Sequence, residues 1–331
     1  MVFAAENNYI VNTKEQWEAG TNINLDTEDT NGYAKITADG TWRERTWKTP
    51  PNYFTAGFSA TEYDNDIYAL RGGGDNTFYK YDTSENTWTI LKNAPVGAYT
   101  GSYIENGPTG IIYAVFGNTT KLFYQYQIST NTWTRLDDLP DTVTVGVSMV
   151  YIDGILYMLR SGNTQDFWKF DITQVEGERW ASVSPRPPAA IANATSVVYD
   201  GSQYLYILRG NNQRQLYRYN LADPIWETFT TLYPSNVNEA SRMEYHNGTI
   251  YVQHPNSTTF YSCTISGLTC SGGSWNTLET LPSTARYGAV VYANNYLYNF
   301  RANGTFDFWK YDPVASSFVG PAMFSQARST G

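Results

Sequence analysis

Apolar and polar positions along this chain alternate in short runs, with almost no helical spacing, and the runs recur. One run is an apolar residue, Tyr, two mostly apolar residues and Arg. It reads IYALR at 67–71, LYMLR at 156–160, LYILR at 205–209 and LYNFR at 297–301, with looser copies ending at Phe116 and His254. The six tyrosines, Tyr68, Tyr113, Tyr157, Tyr206, Tyr251 and Tyr298, lie 45, 44, 49, 45 and 47 residues apart. Three other patterns keep phase with it. An aromatic strand ends at Asp82, Gln127, Asp171, Asn220, Thr264 and Asp312. A Trp leads to a Pro seven or eight residues later from Trp88, Trp133, Trp180, Trp226 and Trp275, with Phe318 in the last copy. A run of small residues and Val ends at Tyr63, Tyr151, Tyr199, Tyr245 and Tyr292.

Each copy therefore reads as four strands joined by tight turns, with Asp153-Gly154, Asp200-Gly201 and Asn247-Gly248 as hairpin signals. A period of this size is that of propeller blades. Radial repetition also keeps the edges of so many short strands brief and protected. The expected fold is all-β: a six-bladed β-propeller of four-stranded blades at about 52–96, 97–141, 142–188, 189–235, 236–283 and 284–322. A seven-bladed ring is the alternative. Residues 1–51 lack the Tyr-Arg pattern and form an N-terminal β extension. Three readings stand for it: a degenerate seventh blade, strands closing the ring, or an arm adding a strand to a neighbouring subunit.

Composition narrows the function. Charged residues make up 16% and net charge is −9, with no basic run, which argues against nucleic acid and anionic membranes as partners. No apolar stretch approaches the roughly 20 residues that span a bilayer. The opening MVFAA, Met1 to Ala5, reads either as the small-residue end of a secretory signal or as an ordinary N-terminus. Cys263 and Cys270 flank a hairpin loop in the fifth copy; their spacing predicts a disulfide, and with it an oxidising compartment.

The repeat resembles the kelch family over about residues 52–320. Its copies run small-residue strand, strand ending near Gly, Tyr-Asp strand and Trp strand; Arg71-Gly72-Gly73 and Arg209-Gly210 look like degenerate double-glycine sites. The resemblance implies a propeller and leaves protein binding, galactose-oxidase-type catalysis and surface roles open.

Candidate site residues follow from the ring. Arg71, Phe116, Arg160, Arg209, His254 and Arg301 close the second strands, so they stand at equal radius. Four guanidiniums and an imidazole would suit an anionic ligand such as a carboxylated sugar. The structural alternative pairs Arg160 with Asp166 and Arg301 with Asp307. Sequons occur at Asn118, Asn193, Asn247, Asn256 and Asn303, all but Asn247 on loops of one face. The alternative is that polar loops simply contain them. His246 and His254 are too few for a copper oxidase, and no catalytic constellation, metal set or cofactor motif is visible. The expectation is a secreted, extracellular or cell-surface, non-catalytic propeller that self-associates as a structural subunit. A glycan-binding propeller comes second, and a galactose-oxidase-like or sialidase-like enzyme third.

Overall fold

The computed structural model describes residues 50–191, 196–210, 212–237 and 242–319, with the backbone of Ala34–Ile36 and Trp42–Glu44. Met1 to Ala5 and Asn193 lie outside the described residues. The chain divides into two compact units, 1–47 and 48–331. Within the first, Ala34–Ile36 pairs antiparallel with Trp42–Glu44.

The second unit carries six antiparallel sheets of consecutive strands, five in the order first, second, third, fourth, while in the blade 5 sheet Thr269–Cys270 and Asn276–Thr277 both pair with the third strand. Blade 1 shows why. Its second strand, Asp66–Gly72, holds Ile67, Tyr68, Ala69 and Leu70, all buried, because neighbouring blades cover both faces of the sheet. Its fourth strand, Thr87–Ile90, leaves Ile90 54% exposed, as an outer edge does. The first strands touch one another in succession, and the sixth touches the first. The hydroxyls of these strands tie each blade to the next. Ser59 Oγ accepts the Ile104 N–H at 3.0 Å, Ser148 Oγ that of Val197 at 2.8 Å, and Ser196 Oγ that of Met243 at 3.0 Å. The small residues of the first strand are thus hydrogen-bonding groups as well as space savers.

A residue past each second strand bridges to one ahead of the next blade: Asp75–Ala98, Thr120–Val143, Thr164–Ile191, Gln213–Val237, Ser257–Ala285 and Thr305–Phe54. The last bridge closes the circle, with the Phe54 N–H donating to Thr305 O and the Gly304 N–H to Phe54 O, both at 2.8 Å. The ring therefore closes on six blades, and the seven-bladed alternative falls. Every strand of the six blades lies within 59–318.

The blades wedge together through aromatic rings. Phe123, opening the third strand of blade 2, sits 5.1 Å from Phe170 and 5.3 Å from Trp180 of blade 3. Phe78 does the same to Tyr126 and Trp133, and Phe167 to Tyr219 and Trp226. Indole N–H groups add cross-blade bonds: Trp133 Nε1 donates to Lys92 O at 3.0 Å and Trp226 Nε1 to Pro185 O at 2.8 Å.

Candidate functional site

The second-strand arginines hold turns together. Arg71 donates from Nη1 to Asp75 at 2.6 Å and from Nε to Tyr53 O at 3.2 Å. Arg160 Nη1 meets Asp166 at 2.8 Å, its Nη2 meets Asp141 at 3.1 Å, and its Nε donates to Thr142 O at 2.8 Å. Arg301 pairs with Asp307 at 2.8 Å, and Arg209 Nε donates to Ala190 O at 3.3 Å. His254 Nδ1 lies 3.1 Å from the Tyr233 hydroxyl, and burial pulls its pKa down. Arg71, Arg160 and Arg209 thus clamp the segment ahead of their own first strands, and Arg301 braces the turn that follows its second strand. Where a carboxylate joins, the pair carries no net charge, which weakens the field an anion would feel.

The sequon asparagines have backbone reasons. Just before each bridge stands a left-handed residue, Gly74, Thr119, Asn163, Asn212, Asn256 or Gly304, whose N–H donates across the junction at 2.7–2.9 Å. Gly and Asn tolerate that conformation best. Asn256 (φ 53°) meets this demand, Asn118 (φ 67°) is left-handed one residue ahead of Thr119, and Asn247 (φ 46°) is left-handed in a first-to-second-strand hairpin. The Thr two residues on is equally local: Thr305 Oγ1 donates to Arg301 O at 3.0 Å, and in the non-sequon copy Thr164 Oγ1 donates to Arg160 O at 2.8 Å. All four described sequon asparagines, Asn303 included, are solvent-exposed.

A second constellation lines the axis, and sequence reasoning missed it. Register aligns the first strands: Thr61, Glu105 and Glu244 each stand opposite the repeat Tyr of their blade. Blades 3, 4 and 6 place Val150, Val198 and Val291 there. Two residues earlier stand Ser59, Tyr103, Ser148, Ser196, Arg242 and Ala289. Blades 2 and 5 are opposite one another in a ring of six, so Glu105 faces Glu244 and Tyr103 faces Arg242 across the axis. Thr61 Oγ1 accepts the Asn106 N–H of the next blade at 3.1 Å; Glu105 accepts that of Tyr151 and Glu244 that of Tyr292 in the same way. All four side chains keep partial access to water while protein encircles them. Burial, then the charge of Glu244, pushes the Glu105 carboxyl well up. Burial, then the charge of Glu62, pushes Glu244 up to about 8. Burial lowers Arg242, whose Nε donates to Gly288 O at 2.7 Å, and raises the Tyr103 phenol. Opposed protonated carboxyls in a narrow channel can donate hydrogen bonds or act as acids at neutral pH. The signal lay in the repeat itself: RMEY and YIEN put charged residues where other copies hold Ser, Thr or Val.

A family model of the kelch motif matches residues 55–95, which is blade 1 with its approach. Among solved structures, one entitled "Structure of YjhT" superposes with a TM-score of 0.67 at 15% identity, covering 82% of this chain and 98% of that one. The chain is a kelch-like β-propeller. No curated protein matches it.

The kelch-motif match falls on the copy with a double glycine at the end of its second strand. A Cβ on Gly72 would stand 2.5 Å from Thr55 O and 2.6 Å from Phe58 N, and the Gly73 N–H (φ 69°) donates to Ala56 O at 2.7 Å. In this kelch-like ring blade 5 departs most from its siblings. Cys263 fills the place of Tyr81, Tyr126, Phe170, Tyr219 and Tyr311, and it is disulfide-bonded to Cys270. The hairpin between them reaches blade 4: Thr230 N donates to Leu268 O at 2.9 Å and Arg218 Nη1 to Gly267 O at 3.1 Å. Among the described residues no group of three or more His, Cys, Asp or Glu is placed to hold a metal ion, and no helix is long and apolar enough to cross a membrane.

Proposed function

We propose that this protein is a secreted, non-catalytic propeller that serves as a self-associating structural subunit of a cell-surface or extracellular assembly, residues 1–51 contacting a neighbouring copy. One observation carries this reading. The six blades draw every strand from 59–318 and close through Phe54 and Thr305, so a segment of some fifty residues supplies no strand to the described blades. A disulfide and a Tyr-rich, weakly charged composition suit an exposed extracellular contact surface. Chemical cross-linking of a mixture of light and heavy-isotope copies tests it. Mixed-isotope cross-links from residues 1–51 to blade residues are expected. A full-length chain that stays monomeric at every concentration would overturn it.

One observation favours a second reading, an enzyme acting on a glycoside at the channel. Glu105 and Glu244 face each other, and burial pushes Glu244 up to about 8, the direction that an acid assisting a leaving oxygen needs. Turnover of a chromogenic sialoside that disappears in Glu244→Gln would establish it. No turnover with the wild type removes it.

A further inference from the structure

Five of the six copies agree at a position that blade 5 breaks. Opposite the repeat Tyr, on the third strand, stand Lys80, Gln125, Lys169, Arg218 and Lys310 in blades 1, 2, 3, 4 and 6. These long side chains lie across the sheet face. Lys80 Nζ reaches Asp66 at 2.5 Å, the Arg218 guanidinium stacks 4.0 Å over Tyr204, and Lys310 Nζ stands 3.5 Å over Tyr296. In blade 5 the position is Ser262, opposite Tyr251, and the residue matching Asp66, Tyr204 and Tyr296 is Thr249. Two small residues replace a long chain and its partner. The space they vacate is a cleft of about 500 Å³ between blades 5 and 6, on the face opposite the arginines.

Its lining decides what it takes. Leu278, Pro313 and Val314 supply apolar surface while the Tyr251 and Tyr311 rings are buried, and Asn247, Ser262, Thr264 and Asn276 supply amide and hydroxyl groups that both donate and accept. No Lys, Arg, Asp or Glu lines it, and burial pulls His246 down, so it stays uncharged at neutral pH. An anionic ligand finds no cation there, and a cationic one finds no carboxylate. Apolar side chains beside mixed donors and acceptors match a molecule with C–H faces and hydroxyl edges, and the volume is that of a small-molecule site. We propose that the cleft between blades 5 and 6 binds a neutral saccharide, with Ser262 as the residue that keeps it open.

The repeat supplies the test. Ser262→Lys and Ser262→Gln restore side chains that sibling blades already carry, so both variants are expected to fold and to fill the cleft. Protein from a host that does not N-glycosylate would be titrated with glucose, galactose, mannose, N-acetylglucosamine and galacturonate by calorimetry and saturation-transfer NMR. The expected result is saturable binding of at least one neutral sugar, weaker galacturonate binding, and a loss of about tenfold or more in both variants, with Ser262→Ala retaining affinity. Melting curves verify that the variants are folded; should Lys unfold the blade, Gln carries the test. Absence of binding to all four neutral sugars, tighter binding of galacturonate than of galactose, or undiminished affinity in folded Ser262→Lys or Ser262→Gln overturns the proposal.

Discussion

Blades 2 and 3 meet through interlocked edge-to-face and tilted rings, whereas blades 4 and 5 meet through a disulfide-braced hairpin. At the first junction Phe123 enters between Phe170 and Trp180. At the second, Leu216 stands in place of the Phe, Cys263 in place of the partner ring, and Trp275 lies twelve residues after the cysteine instead of the usual seven or ten. All three pack in one buried cluster with Cys270. Losing two rings removes apolar area and edge-to-face contacts. The hairpin offsets that loss with a covalent link inside blade 5 and backbone bonds onto blade 4. The same radial position is thus held by burial in one place and by chain restraint in the other. A repeat can lose its signature residue and keep its shape when a neighbouring insertion does the same mechanical work.

The largest effect is expected from Phe123→Ala. Emptying that wedge costs about 3–5 kcal/mol, read as a lower urea midpoint with an unchanged slope. Cys263→Ala with Cys270→Ala comes next, at about 2–3 kcal/mol, since the bridge spans only seven residues. Hydrogen exchange in that variant should rise first at the Thr230 amide, which donates to Leu268 O. If it rises equally at the junction of blades 2 and 3, the contrast between the two junctions fails. The channel gives a pH effect. Burial raises Glu105 and Glu244 above their unfolded values, so these two carboxyls hold more protons in the folded ring than in the unfolded chain between about pH 4.5 and pH 8, a contribution that the lowered His246 and His254 partly offset below about pH 6.5. Stability therefore falls as pH rises through that window. Melting temperatures at pH 5 and pH 8 should differ in that direction, and Glu244→Gln should flatten the slope. Asn163→Ala forces a left-handed alanine (φ 65° in the native turn) and costs about 1–2 kcal/mol by thermal melting. Trp226→Phe keeps the ring and loses the bond to Pro185 O, worth about 0.5–1.5 kcal/mol in denaturant titration.

Much of the fold was legible because blade formation is local. The Tyr, Trp and Gly positions recur at one period, and each occurrence marks a strand buried on two faces, a ring for a wedge or a left-handed turn. The pairings of Arg160 with Asp166 and Arg301 with Asp307 could be foreseen for the same reason, since six residues separate each pair across one hairpin. The sequon positions are local in another way: at Asn118, Asn247 and Asn256 the turn also asks for a left-handed backbone, which Asn tolerates.

The sequence by itself determined the number of copies, their strands and turns, and the cysteine bridge, because these depend on residues close in the chain. Only the tertiary structure decided that the circle closes at six through Phe54 and Thr305. It alone set Glu105 against Glu244 across the axis and left a cleft where Ser262 replaces a longer side chain. Those properties arise from residues far apart in the chain that meet only when the ring is complete.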